Sequence, residues 1–114
     1  MTRDEWRETY LFCFACGKSS FSGAGLEIHE IACGPARKKA LKEPSTWLRL
    51  CAECHRGKNG VHNYAVWPIA RQLFLKKCHD PEHYDRVAAN RLRGRADNAI
   101  TEEEVDQWEE RNND

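Results

Sequence analysis

Residues 50–63 read LCAECHRGKNGVHN, and a Cys51-x-x-Cys54 pair followed at once by His55 admits three chemistries. It can attach a c-type haem, cycle between dithiol and disulfide, or supply half of a zinc site with a further ligand beside it. A second pair, Cys13-x-x-Cys16, lies upstream in CFACGKSS. Tetrahedral zinc wants four ligands, and two CxxC turns supply them because each aims two thiolates at one point. Gly17, directly after the second cysteine, suits the tight return of such a turn. Cys13, Cys16, Cys51 and Cys54 are therefore expected to hold a structural Zn2+. The 34 residues between the pairs must form a substructure that the two turns bracket. Cys33 and Cys78 have no CxxC partner and read as buried or idle thiols.

Composition narrows the choice. A chain of 114 residues is one domain with a small core, and its apolar runs, such as residues 64–69, are too short to span a membrane. The N-terminal MTRDEWRETY carries acids and no apolar stretch, so a secretory signal is not expected and a cytoplasmic location is. Thiols in the cytosol stay reduced, which favours metal ligation over haem attachment or a disulfide framework. The net charge of zero hides segregation. Residues 31–95 hold 14 Lys and Arg against 5 Asp and Glu, whereas residues 96–114 hold one Arg against eight acids. A basic middle with an acidic end fits a nucleic-acid-binding face beside a separate acidic tail, and it also fits ordinary solvated helix faces.

The elements that must position these residues follow from pattern. GAGLEIHEIACG starts with glycines, alternates through Leu26 and Ile28, and ends at Gly34-Pro35. This predicts a strand of about six residues with His29 and Glu30 at its end. A basic connection, with a short helical turn over residues 36–43 ended by Pro44, leads to a second strand in STWLRLC. AECHRGK then starts a helix, which Gly57 and Gly60 weaken by about 1 kcal/mol each relative to alanine. Downstream, IARQLFLKKC has helical spacing, and Asp80-Pro81 reads as the N-cap of a helix over PEHYDRVAANRLR. Thr101-x-x-Glu104 is a capping box for a last, acidic helix whose large apolar contacts are Val105 and Trp108, so loose docking is expected. His79 and His83 read as solvent-facing.

In this order, Cys13, Cys16, His29, Cys51, Cys54 and His55 resemble the HNH endonucleases, specifically their zinc-stapled branch. The stretch LEIHEIACGPARKKAL…LRLCAECH is similar to a bacteriophage and prophage subgroup in which His-Glu replaces the commoner pair at the strand end. The resemblance covers about Cys13 to His62. It implies an α+β chain: a small ββα-metal core with structural zinc over residues 1–65, followed by C-terminal helices over residues 66–114. It further implies hydrolysis of DNA phosphodiesters, duplex DNA as partner, and a second ion, Mg2+ or another divalent metal, for catalysis. Carried over by position, His29 falls at the metal-binding place, Glu30 at that of the base and His55 at the second ligand. A register slipped by one makes His29 the base and puts Ile28, which cannot bind metal, at the ligand place. Glu27, on the same strand face as His29, could substitute only if the strand bends.

The chain also departs from that pattern. The family's middle Asn corresponds to Ser45 or Thr46, either of which can hold the loop by local hydrogen bonds. Four residues beyond His55 stands Asn59, so His62 is expected to reach the ion from a loop once the helix breaks. Arg37, Lys38, Lys39 and Arg56 are expected to contact DNA, and Arg86, Arg91, Arg93 and Arg95 could grip phosphates. The basic runs lack the interleaved aromatics that stack single-stranded bases. The rival function is a non-catalytic zinc-binding DNA module. A redox or haem protein is the third.

Overall fold

The two apolar stretches pair as an antiparallel hairpin, β1 (Leu26–Glu30) and β2 (Trp47–Cys51), in a computed structural model that describes residues 1–32 and 34–112. Around this hairpin lie α1 (Arg3–Thr9), α2 (Arg37–Ala40), α3 (Ala52–Arg56), α4 (Ile69–His79), α5 (Arg86–Leu92) and α6 (Glu102–Asn112). The chain is thus a small α+β protein with a two-stranded sheet. The first strand is five residues, one short of the expected length. Cys33 lies outside the described residues, and Cys78 is an exposed free thiol.

Register divides the hairpin into two working faces. Glu27 pairs with Leu50, His29 with Leu48, and Glu30 with Trp47. Because strand side chains alternate, Glu27 and His29 share one face with Leu48 and Leu50. Against that face pack α3 and α4. The opposite face carries Ile28, Glu30, Arg49 and Trp47, and it is covered by α1. There Trp6 meets Trp47 edge to face at 5.6 Å, and Arg3 pairs with Glu30 at 2.8 Å. Arg49 is buried and donates to the carbonyls of Tyr10, Leu26 and Arg7 at 2.9, 3.1 and 3.3 Å. A buried guanidinium needs such partners, and the carbonyls at the end of α1 supply two of them.

The N-terminal helix begins on Thr2-x-x-Glu5, in which each side chain bonds the other residue's backbone N–H. Its Trp6 and Tyr10 reach Asp80, at the far end of α4. That carboxylate is buried and accepts from Trp6 Nε1 at 2.9 Å, Tyr10 OH at 2.6 Å, Lys76 Nζ at 2.7 Å and His83 Nδ1 at 2.8 Å. Burial alone would raise the Asp80 pKa, but these four donors outweigh it and bring it to about 2. Asp80 is therefore not the expected helix cap. After it comes a 3-10 turn, Pro81–His83, and the helix proper starts at Arg86 behind Asp85, whose carboxylate accepts from Ala88 N–H. His79 and His83 are half-buried, His79 against Phe12 and Phe14 and His83 on Asp80, so neither is simply solvent-facing. The acidic helix α6 is docked on α4: Val105 is fully buried, and Lys77 binds both Glu102 and Asp106, at 2.5 and 2.6 Å. Among the described residues no helix is long and apolar enough to cross a membrane.

Candidate metal centres

Two groups of metal-ligating side chains converge, one on each side of the bond between Cys54 and His55. The first is Cys13, Cys16, Cys51 and Cys54, whose sulfurs all lie within 4.8 Å of one another. Cys13 and Cys16 come from a turn in which Gly17 N–H bonds Cys13 O at 2.8 Å and Gly17 takes a φ of +81°, a conformation that favours glycine. Cys51 ends β2, and Cys54 sits one helical turn on. The Cys16 and Cys51 sulfurs are 3.8 Å apart. A tetrahedron with bonds of about 2.3 Å has edges of roughly 3.8 Å, so this spacing suits one zinc ion and is far too long for a disulfide. Burial, then the neighbouring Cys51 and Cys13 thiols, push the Cys54 thiol upward. Four thiolates can share this volume only around a cation. The four cysteines are thus placed to bind one structural metal ion such as zinc.

The second group is His29, His55 and His62, with one ring nitrogen from each again within 4.8 Å of the others. The ring centroids stand 5.0 to 5.2 Å apart, a nearly equilateral triangle. His29 comes from the end of β1 and His55 from α3. His62 comes from the loop after it, because α3 stops at Arg56 as its two glycines predict. Gly60 is required there: a Cβ would stand 2.7 Å from Cys54 O. The loop is pinned on both sides, with Val61 N–H bonded to Cys54 O at 2.8 Å and Val61 O to Gln72 Nε2 at 3.0 Å.

Hydrogen bonds fix which nitrogens face inward. The Gln72 amide nitrogen donates to Val61 O and Trp67 O, both at 3.0 Å, so its Oε1 must accept. The donor is His29 Nε2, 2.9 Å away, which leaves Nδ1 of His29 bare. His55 Nδ1 lies 2.7 Å from Glu27 Oε1, which can only accept when ionised, and this leaves Nε2 of His55 bare. Arg56 grips the same carboxylate through Nε at 2.9 Å and Nη2 at 2.7 Å. Arg56, then His55, pull the Glu27 carboxyl down against its burial. Burial, opposed by the Gln72 bond, takes His29 down to about 4, so its ring is neutral at physiological pH. A neutral imidazole oriented by a partner on its far nitrogen is the form that ligates metals.

Glu30 stands apart from this triangle. It lies on the other sheet face with its Oε1 on Arg3, although its charge still acts on His62 and opposes the fall that burial causes there. Arg37, Lys38 and Lys39 project from the exposed α2, while Arg56 is 64% exposed but engaged with Glu27. Asn59 supplies a backbone carbonyl to Trp67 Nε1 and belongs to neither cluster. Thr46 bonds Ala40 O and Glu43 O at 3.2 and 2.9 Å and so fixes the loop before β2. Sequence reasoning missed Gln72 and treated Glu27 only as a fallback ligand. The available signal for Gln72 was a polar residue on the apolar stripe of IARQLFLKKC; for Glu27 it was its place two residues before His29.

Comparison with protein-family models, with curated proteins and with solved structures finds no match to this chain.

Proposed function

We propose that this protein is a metal-dependent DNA endonuclease of the HNH type, with zinc in the cysteine group and a second divalent ion in the histidine group. The observation that carries the proposal is the triangle of His29, His55 and His62, two of whose rings are locked by Gln72 and Glu27 with a bare nitrogen inward. Hairpin, following helix and cysteine pairs stand in the order that the ββα-metal fold requires. Three imidazoles without a carboxylate ligand suit a transition ion such as zinc, nickel or manganese better than magnesium, which prefers oxygen. Held there, the ion would supply Lewis-acid stabilisation of charge at a phosphodiester oxygen.

The chain's own residues divide the remaining work. Gln72 and Glu27 hold the ligand rings. Since Gln72 occupies one nitrogen of His29 and the triangle uses the other, His29 as ligand with Glu30 as base is better supported than the slipped register. Glu30 Oε1 is held by Arg3, which leaves Oε2 to accept the proton of the attacking water. The cations of α2 hold the nucleic-acid backbone. A specific observation favours the rival, a binding module without catalysis: the Glu30–Arg3 pair and the sheet between Glu30 and His29 keep the base off the ligand face.

The deciding experiment is cleavage of supercoiled plasmid by the zinc-loaded protein with manganese, nickel or magnesium added, beside His29→Ala. Metal-dependent nicking that the substitution abolishes is the expected result. Zinc-loaded protein that binds DNA but never cuts it selects the module, and equal cutting by both proteins removes His29 from the site.

A further inference from the structure

Four arginines of the C-terminal half look alike in sequence, but the fold spends two of them internally and turns the other two toward the histidines. Arg86 donates to Glu102, Asp97 O and Ile100 O, and Arg91 forks onto Asp97 at 2.7 and 2.9 Å. With the buried Asn90, these bonds strap the segment before α6 to α5. The helix then ends at Gly94, φ +72°, with Gly94 N–H on Arg91 O at 3.0 Å and Arg95 N–H on Asn90 O at 2.9 Å. That pair of bonds is a Schellman cap, and it fixes the backbone on either side of the glycine. Arg93 and Arg95 thereby line a groove of about 420 Å³ with Ile31, Tyr64, Pro68 and Ile69.

The groove has two chemical banks and a direction. Ile31, Pro68 and Ile69 form an apolar floor with the half-exposed Tyr64, while the two arginines form a cationic wall. Ile31 follows His29 by two residues and Tyr64 follows His62 by two. Two residues of extended chain span at most about 7 Å, so this end of the groove opens beside the histidine triangle. Beyond Gly94 a second groove of about 420 Å³ continues along Pro35, Ala36 and Lys39, below the exposed Arg37 and Lys38. The Arg95 side chain makes no hydrogen bond or ion pair among the described residues. An occupant of such a track is polyanionic along one side, apolar along the other, and long enough to pass from the triangle to α2.

We propose that this track seats the sugar–phosphate strand of duplex DNA flanking the bond to be cut, with Arg93 and Arg95 as its phosphate contacts and the apolar floor against the deoxyribose. The assignment rests on the nuclease proposal above and names the surface that delivers its substrate. The test is binding of a 30-base-pair DNA duplex, read by fluorescence anisotropy across a salt series with no divalent ion added beyond the resident zinc. Arg93→Ala/Arg95→Ala should weaken binding about tenfold or more and reduce the slope of log affinity against log salt by about 2, one unit per lost phosphate contact. Arg93→Lys/Arg95→Lys, which keeps both charges, should recover most of the slope. Should the double alanine variant melt below the wild type, Arg95→Glu alone, at an exposed side chain, serves in its place with the same expectation. Wild-type affinity and slope in these variants would overturn the track while leaving the nuclease proposal to its own plasmid assay. Tighter binding of an RNA duplex of the same sequence would overturn the choice of DNA. A wild-type protein that binds no duplex at any salt would take down both.

Discussion

The cysteine group and the histidine group adjoin at one peptide bond, yet they differ in the two properties that separate structural from catalytic metal sites. Four thiols complete a tetrahedron by themselves, and their two paired turns clamp the ends of the hairpin region. Three imidazoles leave a tetrahedral ion one position short, and the triangle is graded outward, with His29 buried, His55 half-buried and His62 exposed. Structural zinc sites are saturated by protein and catalytic ones keep a place for a reactant. The supports differ as well. Backbone turns set the cysteines, whereas side chains from two other elements, Glu27 and Gln72, set the histidines. One group is thus built to stay closed and the other to stay aimed.

Breaking that contrast begins with the largest effect. Cys51→Ser, or removal of zinc by a chelator, should abolish the cooperative thermal transition seen by circular dichroism. Zinc in small modules contributes on the order of 10 kcal/mol, comparable to the whole stability of a domain this size. His62→Ala, at an exposed position, should shift the same transition by less than about 1 kcal/mol. If both variants melt like the wild type, the proposed division of labour is wrong.

A smaller effect sharpens it. Glu27→Gln should lower the affinity of the histidine group for cobalt by about 10- to 100-fold, because the ring of His55 loses the carboxylate that orients it. Gln72→Met should do the same through His29 and also cost about 1–3 kcal/mol, since Val61 O and Trp67 O lose their donor. In both variants one zinc per chain should remain in the cysteines, counted by elemental analysis beside the cobalt absorption titration. Loss of that zinc together with the cobalt site would show that the two groups cannot be separated.

The smallest effect separates acid loss of metal from acid loss of the core. Asp80 is held at about 2 in the fold against an ordinary value near 4, so the unfolded chain takes up its proton first. Its contribution is complete above pH 4 and is lost as pH falls from about 4 toward 2, to the extent of about 2 kcal/mol. The stability gap between wild type and Asp80→Asn, followed by urea unfolding from pH 5 downward, should therefore narrow. Protonation of the thiolates releases zinc from both proteins alike and cancels in that difference.

Much of this arrangement is legible in the sequence, for a physical reason. Ligand chemistry is local: CxxC turns, a strand ending in His29 and a glycine-weakened helix before His62 each announce themselves within ten residues. The hub at Asp80 is not local. Asp80-Pro81 has the composition of a helix start, and nothing near it tells that Trp6 and Tyr10, some seventy residues away, will claim the carboxylate. The helix carrying them was announced by Thr2-x-x-Glu5, the same signature that identified α6 through Thr101-x-x-Glu104. Supporting groups such as Gln72 are hardest to read, because a buried glutamine becomes interpretable only once its three partners are in place. Counts of charge mislead for the same reason: Arg49 and Lys76 belong to the basic middle of the sequence, yet both lie in the core.

The five-residue α3 holds a last consequence, one of timing. A helix so short does not persist in water by itself, and it carries Cys51 at its cap, Cys54 within it and His55 next along. Until the cysteines close on their ion there is no scaffold from which His55 can meet Glu27. A newly made chain would therefore acquire its ions in sequence, zinc first. While zinc is scarce, the proposed nuclease would be inert, and no inhibitor would be needed to keep it so.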